Sequence, residues 1–198
     1  MTDDDMVVRE LLLICGSLRA ASTNMAMMRT VLQMLPDGVA GTLYEGLATL
    51  PHFDPDDDHD PLPAAVESLR ASLRGADAIM FCTPEYAGGL PGSFKNLLDW
   101  TVGGQEIELP VGWINVSTAP GGAQRAHESL GVVLGYTGAQ VVATACKQIP
   151  VRRDLIDSDG TIGDETIRSE VSHVIAEILT HVPRQHRTVG DQGAGLGG

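Results

Sequence analysis

The sequence predicts an α/β domain in which a five-stranded parallel sheet is covered by helices on both faces. Two observations carry the prediction. Short continuous apolar runs such as Leu11-Leu12-Leu13-Ile14 suit strands buried on both faces. These runs alternate with stretches whose apolar residues recur at helical spacing, the pattern of parallel strands joined by crossover helices. A chain of 198 residues favours one domain. At that size folding hides roughly 70% of the surface the unfolded chain would expose, enough for a core without staples.

The first strand is expected within Val7 to Cys15. Met25, Met28, Leu32 and Leu35 mark the first helix, closed by Pro36 and Gly38. A short second strand follows from Val39 to Tyr44. Leu62, Ala65, Val66, Leu69 and Leu73 form a helical stripe that ends at Gly75. Ala76 to Cys82 is the third strand, and Pro91 to Thr101 a helix with proline in its first turn. Val111 to Val116 is the fourth strand, Ala126 to Leu134 a helix, and Gln140 to Ala145 the fifth strand. Ile167 to Val182 is the last helix, stopped by Pro183. Five strands so connected best match the order 2-1-3-4-5, with ligands beyond the carboxyl ends of strands one and three. The expected domain spans residues 7–183. Residues 1–6 and 184–198, the latter poor in core-forming side chains, are expected to be disordered tails.

Composition narrows the function. The net charge of −13 repels nucleic acid and anionic membrane, so neither is an expected partner. No apolar run reaches membrane-spanning length, and the start Met1-Thr2-Asp3-Asp4-Asp5 lacks the positive charge of a signal peptide. These features predict a cytoplasmic protein. Cys15, Cys82 and Cys146 have neither the number nor the spacing of a disulfide framework or a zinc site, and read as small buried hydrophobes. Asp54, Asp56 and Asp58 have calcium-loop spacing, but His59 and Ala65 occupy the required glycine and glutamate positions. A solvated acidic loop is expected there, with no metal, and His127 reads as a surface histidine.

The loop after strand one, Gly16-Ser17-Leu18-Arg19-Ala20-Ala21-Ser22-Thr23-Asn24, runs directly into the first helix. Ser17, Ser22 and Thr23 offer hydroxyls, Arg19 a charged fork, and the helix start free N–H groups, together a phosphate site. The same residues also describe an ordinary N-cap beside a solvated arginine. Leu18 and Ala21 replace two glycines of a dinucleotide fingerprint, and neither a P-loop nor a Gly-x-Ser-x-Gly elbow is present. The loop after strand three, Thr83 to Gly92, combines prolines, three glycines and Tyr86, which could lie against a flat ring. Ser117-Thr118-Ala119-Pro120-Gly121-Gly122 repeats that composition after strand four.

Gly16-Ser17-Leu18-Arg19 with Ser22 and Asn24, then Thr83-Pro84-Glu85-Tyr86 and Pro91-Gly92-Ser93-Phe94-Lys95-Asn96-Leu97-Leu98-Asp99-Trp100, resemble the NADPH-dependent FMN reductase family. That family has a flavodoxin-like fold and includes quinone, azo-dye and chromate reductases. The resemblance implies that Ser17, Arg19, Ser22, Thr23 and Asn24 surround the FMN phosphate. It places Pro84, Glu85, Tyr86, Ala87 and Gly88 beside the isoalloxazine, with Ser117, Gly121 and Gly122 on its other edge. Many members carry Asn where this chain has Ala87. Lys95, Asn96, Asp99 and Trp100 read as helix and subunit-packing residues. The resemblance further implies hydride transfer from NADPH or NADH through FMN to a small electron acceptor, by a homodimer or homotetramer. No side chain is named as catalytic, because the flavin carries the chemistry. The rival expectations are a flavodoxin-type electron carrier and a flavin-binding or flavin-free interaction module without turnover.

Overall fold

The computed structural model describes residues 9–102 and 107–182, and the tails expected at 1–6 and 184–198 lie outside them. The elements, in chain order, are β1 (Arg9–Cys15), α1 (Thr23–Gln33), β2 (Val39–Tyr44), α2 (Ala64–Gly75), β3 (Ala78–Cys82), α3 (Gly92–Asp99), β4 (Pro110–Asn115), α4 (Gln124–Tyr136), β5 (Gln140–Gln148) and α5 (Glu165–Thr180). The sheet has the order β2-β1-β3-β4-β5 with every pairing parallel. This is the flavodoxin-like arrangement.

Alternation along each strand divides the core in two. Leu11, Leu13, Cys15, Met80 and Cys82 face α1 and α5, where Met27, Val31, Val171 and Val174 pack against them. Leu12, Ile14, Ile79 and Phe81 face α2, α3 and α4, meeting Leu69, Leu73, Phe94, Leu97 and Leu130. Each central strand therefore buries both faces, which is why its sequence is continuously apolar.

Three expectations need correction. Trp100 is fully buried within its own chain rather than offered to another subunit. Its indole N–H donates to the Pro51 carbonyl at 3.0 Å and its ring stacks edge-on against Phe53 at 4.9 Å. Asn96 supports the same segment by accepting from the Phe53 N–H at 2.8 Å. Pro91 stands one residue ahead of α3 rather than inside it. Strand β5 continues to Gln148, because Val111 pairs with Val141 but Trp113 with Cys146, so two steps along β4 match five along β5. The bulge inserts residues that break the apolar pattern.

Two backbone features shape the sheet's carboxyl edge. Gly16 ends β1 by donating to the Cys82 carbonyl at 2.9 Å. A β-carbon there would collide with Thr83 Oγ1, and would stand 2.7 Å from Thr83 Cβ and 3.0 Å from Phe94 Cγ. In the loop after β3, Tyr86 and Gly89 exchange backbone hydrogen bonds of 3.0 and 3.1 Å around Ala87 and Gly88. Both central residues have positive φ, 50° and 77°, as in a type I′ turn. Asn-Gly is favoured there because Asn tolerates left-handed backbone; Ala87 has the strain without a side-chain amide to offset it.

These features predict opposite effects in urea unfolding. Gly16→Ala should lower stability by about 1–3 kcal/mol through overpacking, and an unchanged midpoint would show that Thr83 yields freely. Ala87→Gly should raise stability by about 1 kcal/mol by relieving the left-handed residue; a loss would refute the strain.

Candidate active site

The chain leaves β1 towards one face of the sheet and β3 towards the other, opening a cleft between their ends. The cleft has a volume of about 740 Å³ and is bounded by the start of α1, the loops after β3 and β4, the first turn of α4 and the segment after β5. Of the residues singled out from sequence, Thr23, Asn24, Pro84, Glu85, Ser117 and Gly121 line it. Ser17, Arg19, Ser22, Tyr86, Ala87, Gly88 and Gly122 belong to the same loops without lining it.

Hydrogen bonding explains that division. Ser22 is the N-cap of α1, accepting from the Met25 N–H at 3.1 Å, and Ser17 Oγ accepts from the Arg19 N–H at 3.3 Å. Both serines are buried and shape the loop rather than project from it. Asn24 accepts a weak bond from the Cys82 thiol at 3.3 Å, which ties the first turn of α1 to β3. Arg19 is exposed. The amide of Asn115 donates to the Gly122 carbonyl and accepts from the Ser117 N–H at 3.0 Å, fixing the third loop to the end of β4. That loop holds three successive left-handed residues, Gly121, Gly122 and Ala123, with φ of 81°, 55° and 54°.

The Glu85 carboxylate reaches across the cleft and accepts from the Ala126 N–H at 3.0 Å. One side chain thus joins the second loop to the first turn of α4, which lacks a side-chain cap of its own. His127 is not the surface histidine expected from sequence, being only 7% exposed. Its Nδ1–H donates to the Ala123 carbonyl at 2.9 Å, and Nε2 is buried without a hydrogen-bond partner among the described residues. Burial lowers its pKa, while the Ala123 carbonyl and the Glu85 charge oppose the shift. Neutral imidazole results near pH 7. Burial pushes the Cys15 and Cys82 thiols up, and Cys146 up to about 11, so all three are protonated near neutrality and unsuited to nucleophilic chemistry.

Sequence reading missed Arg125 and Arg153, two guanidinium groups that line the cleft. Arg125 could have been noticed three residues after the glycine pair of the third loop, as Arg19 was after Gly16. Arg153 follows β5, whose end was placed too early, and it had no local signal.

The model of the family described as NADPH-dependent FMN reductase matches residues 9–150. An NAD(P)H-dependent FMN reductase of Pseudomonas aeruginosa is 28% identical over 187 residues, 93% of this chain and 98% of that protein. Probable NADPH:quinone oxidoreductase 2 of Oryza sativa subsp. japonica is 29% identical over 179 residues, 83% of this chain and 84% of that protein. Among solved structures, the flavoenzyme FerB, an NAD(P)H:(acceptor) oxidoreductase of Paracoccus denitrificans, superposes with a TM-score of 0.76 at 26% identity, over 88% of this chain and 99% of FerB. With most of its length matched, the chain belongs to the NADPH-dependent FMN reductase family, oxidoreductases that work with FMN and NAD(P)H.

Proposed function

We propose that the cleft binds FMN with its phosphate at the first loop and its ring between the second and third. There the protein passes reducing equivalents from NADPH or NADH to a small acceptor such as a quinone, azo compound, metal oxyanion or free flavin. The observation that supports an enzyme over an electron carrier is the lining itself, which contains no aromatic side chain. Tyr86, the one aromatic in the three loops, is 52% exposed and stands outside the lining. A ring held here keeps a face open for a second flat molecule.

The residues suit the cofactor. The start of α1 presents N–H groups towards an anion, with Ser22 capping the helix and Thr23 on the cleft wall. Ser17 and Asn24 hold the loop and helix in place, and Arg19 adds an exposed positive charge to the first loop. Pro84 and Glu85 on one side, and Ser117 and Gly121 on the other, form the walls of the ring site, and Ala87, Gly88 and Gly122 belong to the same two loops. A β-carbon on Gly121 would meet nothing within 4 Å, so its backbone is open to a ligand. Bound FMN supplies the redox chemistry, accepting hydride from NAD(P)H and reducing the acceptor. The protein's own part is orientation, and backbone N–H groups near Gly88 and Gly121 would stabilise negative charge that develops on the ring.

The proposed unit is one domain, residues 7–183, in a cytoplasmic homodimer or homotetramer. Three unpaired thiols suit a reducing compartment. Val132 and Tyr136, 63% and 80% exposed and one turn apart on α4, give an apolar surface to a partner subunit.

Anaerobic mixing of the FMN-loaded protein with NADPH, and separately NADH, should bleach the flavin absorbance, and a quinone should restore it in ping-pong fashion. Failure of both nucleotides would remove the reductase and favour a carrier. Light scattering at micromolar concentration should give a dimer or tetramer; a monomer would overturn the assembly.

A further inference from the structure

Eleven lysines and arginines lie among the described residues. Six engage the protein: Arg9 donates to a carbonyl, Arg168 to a carbonyl and an amide, and Arg70, Arg74, Lys95 and Arg152 pair with carboxylates. Arg125 is one of those that make no side-chain hydrogen bond or ion pair among the described residues, although the chain carries 26 acidic residues. It lines the cleft from the first turn of α4, which contains no acidic residue. The helix dipole disfavours a cation at that end. No hydrogen bond or ion pair among the described residues therefore stabilises its charge.

The position of Arg125 narrows what it serves. Its Nη1 lies 3.4 Å from the point a β-carbon on Gly88 would occupy, so the side chain spans from α4 to the turn of the second loop. That is the ring end of the proposed FMN site, whereas the single phosphate of FMN is assigned to the first loop. Glu85 shares this wall, but one carboxylate oxygen is already bonded to the Ala126 N–H. An anion suited to this guanidinium is the one a hydride donor would bring, since a nicotinamide stacked on the ring carries its diphosphate close behind.

We propose that Arg125 is a specificity residue whose guanidinium takes a phosphate group of the incoming nicotinamide dinucleotide. The planar fork suits two phosphate oxygens, which a lysine ammonium would meet only as a point charge. The inference rests on the FMN reading of the cleft and adds to it the residue that recognises the second ligand. In ping-pong turnover the same guanidinium is released when the oxidised nucleotide leaves, and the acceptor enters without needing it.

The test is calorimetric titration of FMN-loaded protein with NADP⁺ and with NAD⁺, supported by steady-state kinetics. Arg125→Ala should bind dinucleotide about tenfold more weakly and raise its KM similarly, with kcat and FMN affinity nearly unchanged. Arg125→Lys should fall between, and the salt dependence of dinucleotide binding should shrink in the alanine variant. Arg74→Ala, which breaks an exposed pair on α2, serves as the unaffected control. Equal loss for both dinucleotides supports contact with the diphosphate, and loss confined to NADP⁺ supports contact with the 2′-phosphate. Wild-type affinity for both in Arg125→Ala overturns the proposal. So does a variant that loses FMN or changes only the flavin's own spectrum and potential. Wild-type protein that takes up no FMN fails one step earlier, at the cofactor reading.

Discussion

The site depends on one topological constraint: two adjacent parallel strands send the chain to opposite faces of the sheet. Right-handed crossovers oblige β1 to continue into α1 on one face and β3 into α3 on the other. The loops after them diverge, and the crevice between them cannot be filled by the backbone that made it. At its floor the strands are as close as side chains permit, with Gly16 against Thr83 and Phe94. Close packing below and divergence above are two consequences of the same connection.

Side-chain polarity within the loops is largely used to hold the loops. Ser22, Asn24, Asn115 and Ser117 all bond locally or to the neighbouring strand, and Glu85 ties the second loop to α4. What remains for a ligand includes backbone on the walls, the Thr23 hydroxyl and the guanidinium groups of Arg125 and Arg153. A cleft built this way offers a ligand shape and peptide dipoles more than a set of reactive side chains. That suits chemistry in which the cofactor supplies the reactivity.

The strands and their order were legible because doubly buried strands must be continuously apolar, and Leu11 to Ile14 and Ala78 to Cys82 obey that rule without exception. The three loops were legible because their glycines, prolines and hydroxyls are concentrated where the sheet ends. Contacts between distant segments were not. Trp100 looked available because nothing local reveals the Pro51 carbonyl that its indole meets 49 positions away. Nothing local to Glu85 reveals that its carboxylate finds an N–H 41 positions along the chain. His127 looked exposed because a helix of moderate amphipathicity does not announce which histidine nitrogen will be covered by Trp113 and the Ala123 carbonyl. Alternation and composition report which face a residue takes, but the partner on that face is set by the tertiary fold.

The bulge in β5 has a further consequence. An open sheet leaves unpaired N–H and carbonyl groups along both margins, and each margin could recruit a strand from another molecule. At the β5 margin, five residues span the distance covered by two on β4, so the outer row of peptide groups is not evenly spaced. A foreign strand aligned with Gln140 and Val141 would be out of step by Cys146. Lys147 and Gln148, both exposed beyond the irregularity, add a charge and a polar amide to that border. A break in regularity that costs β5 some ladder pairing thus protects the molecule from edge-to-edge aggregation.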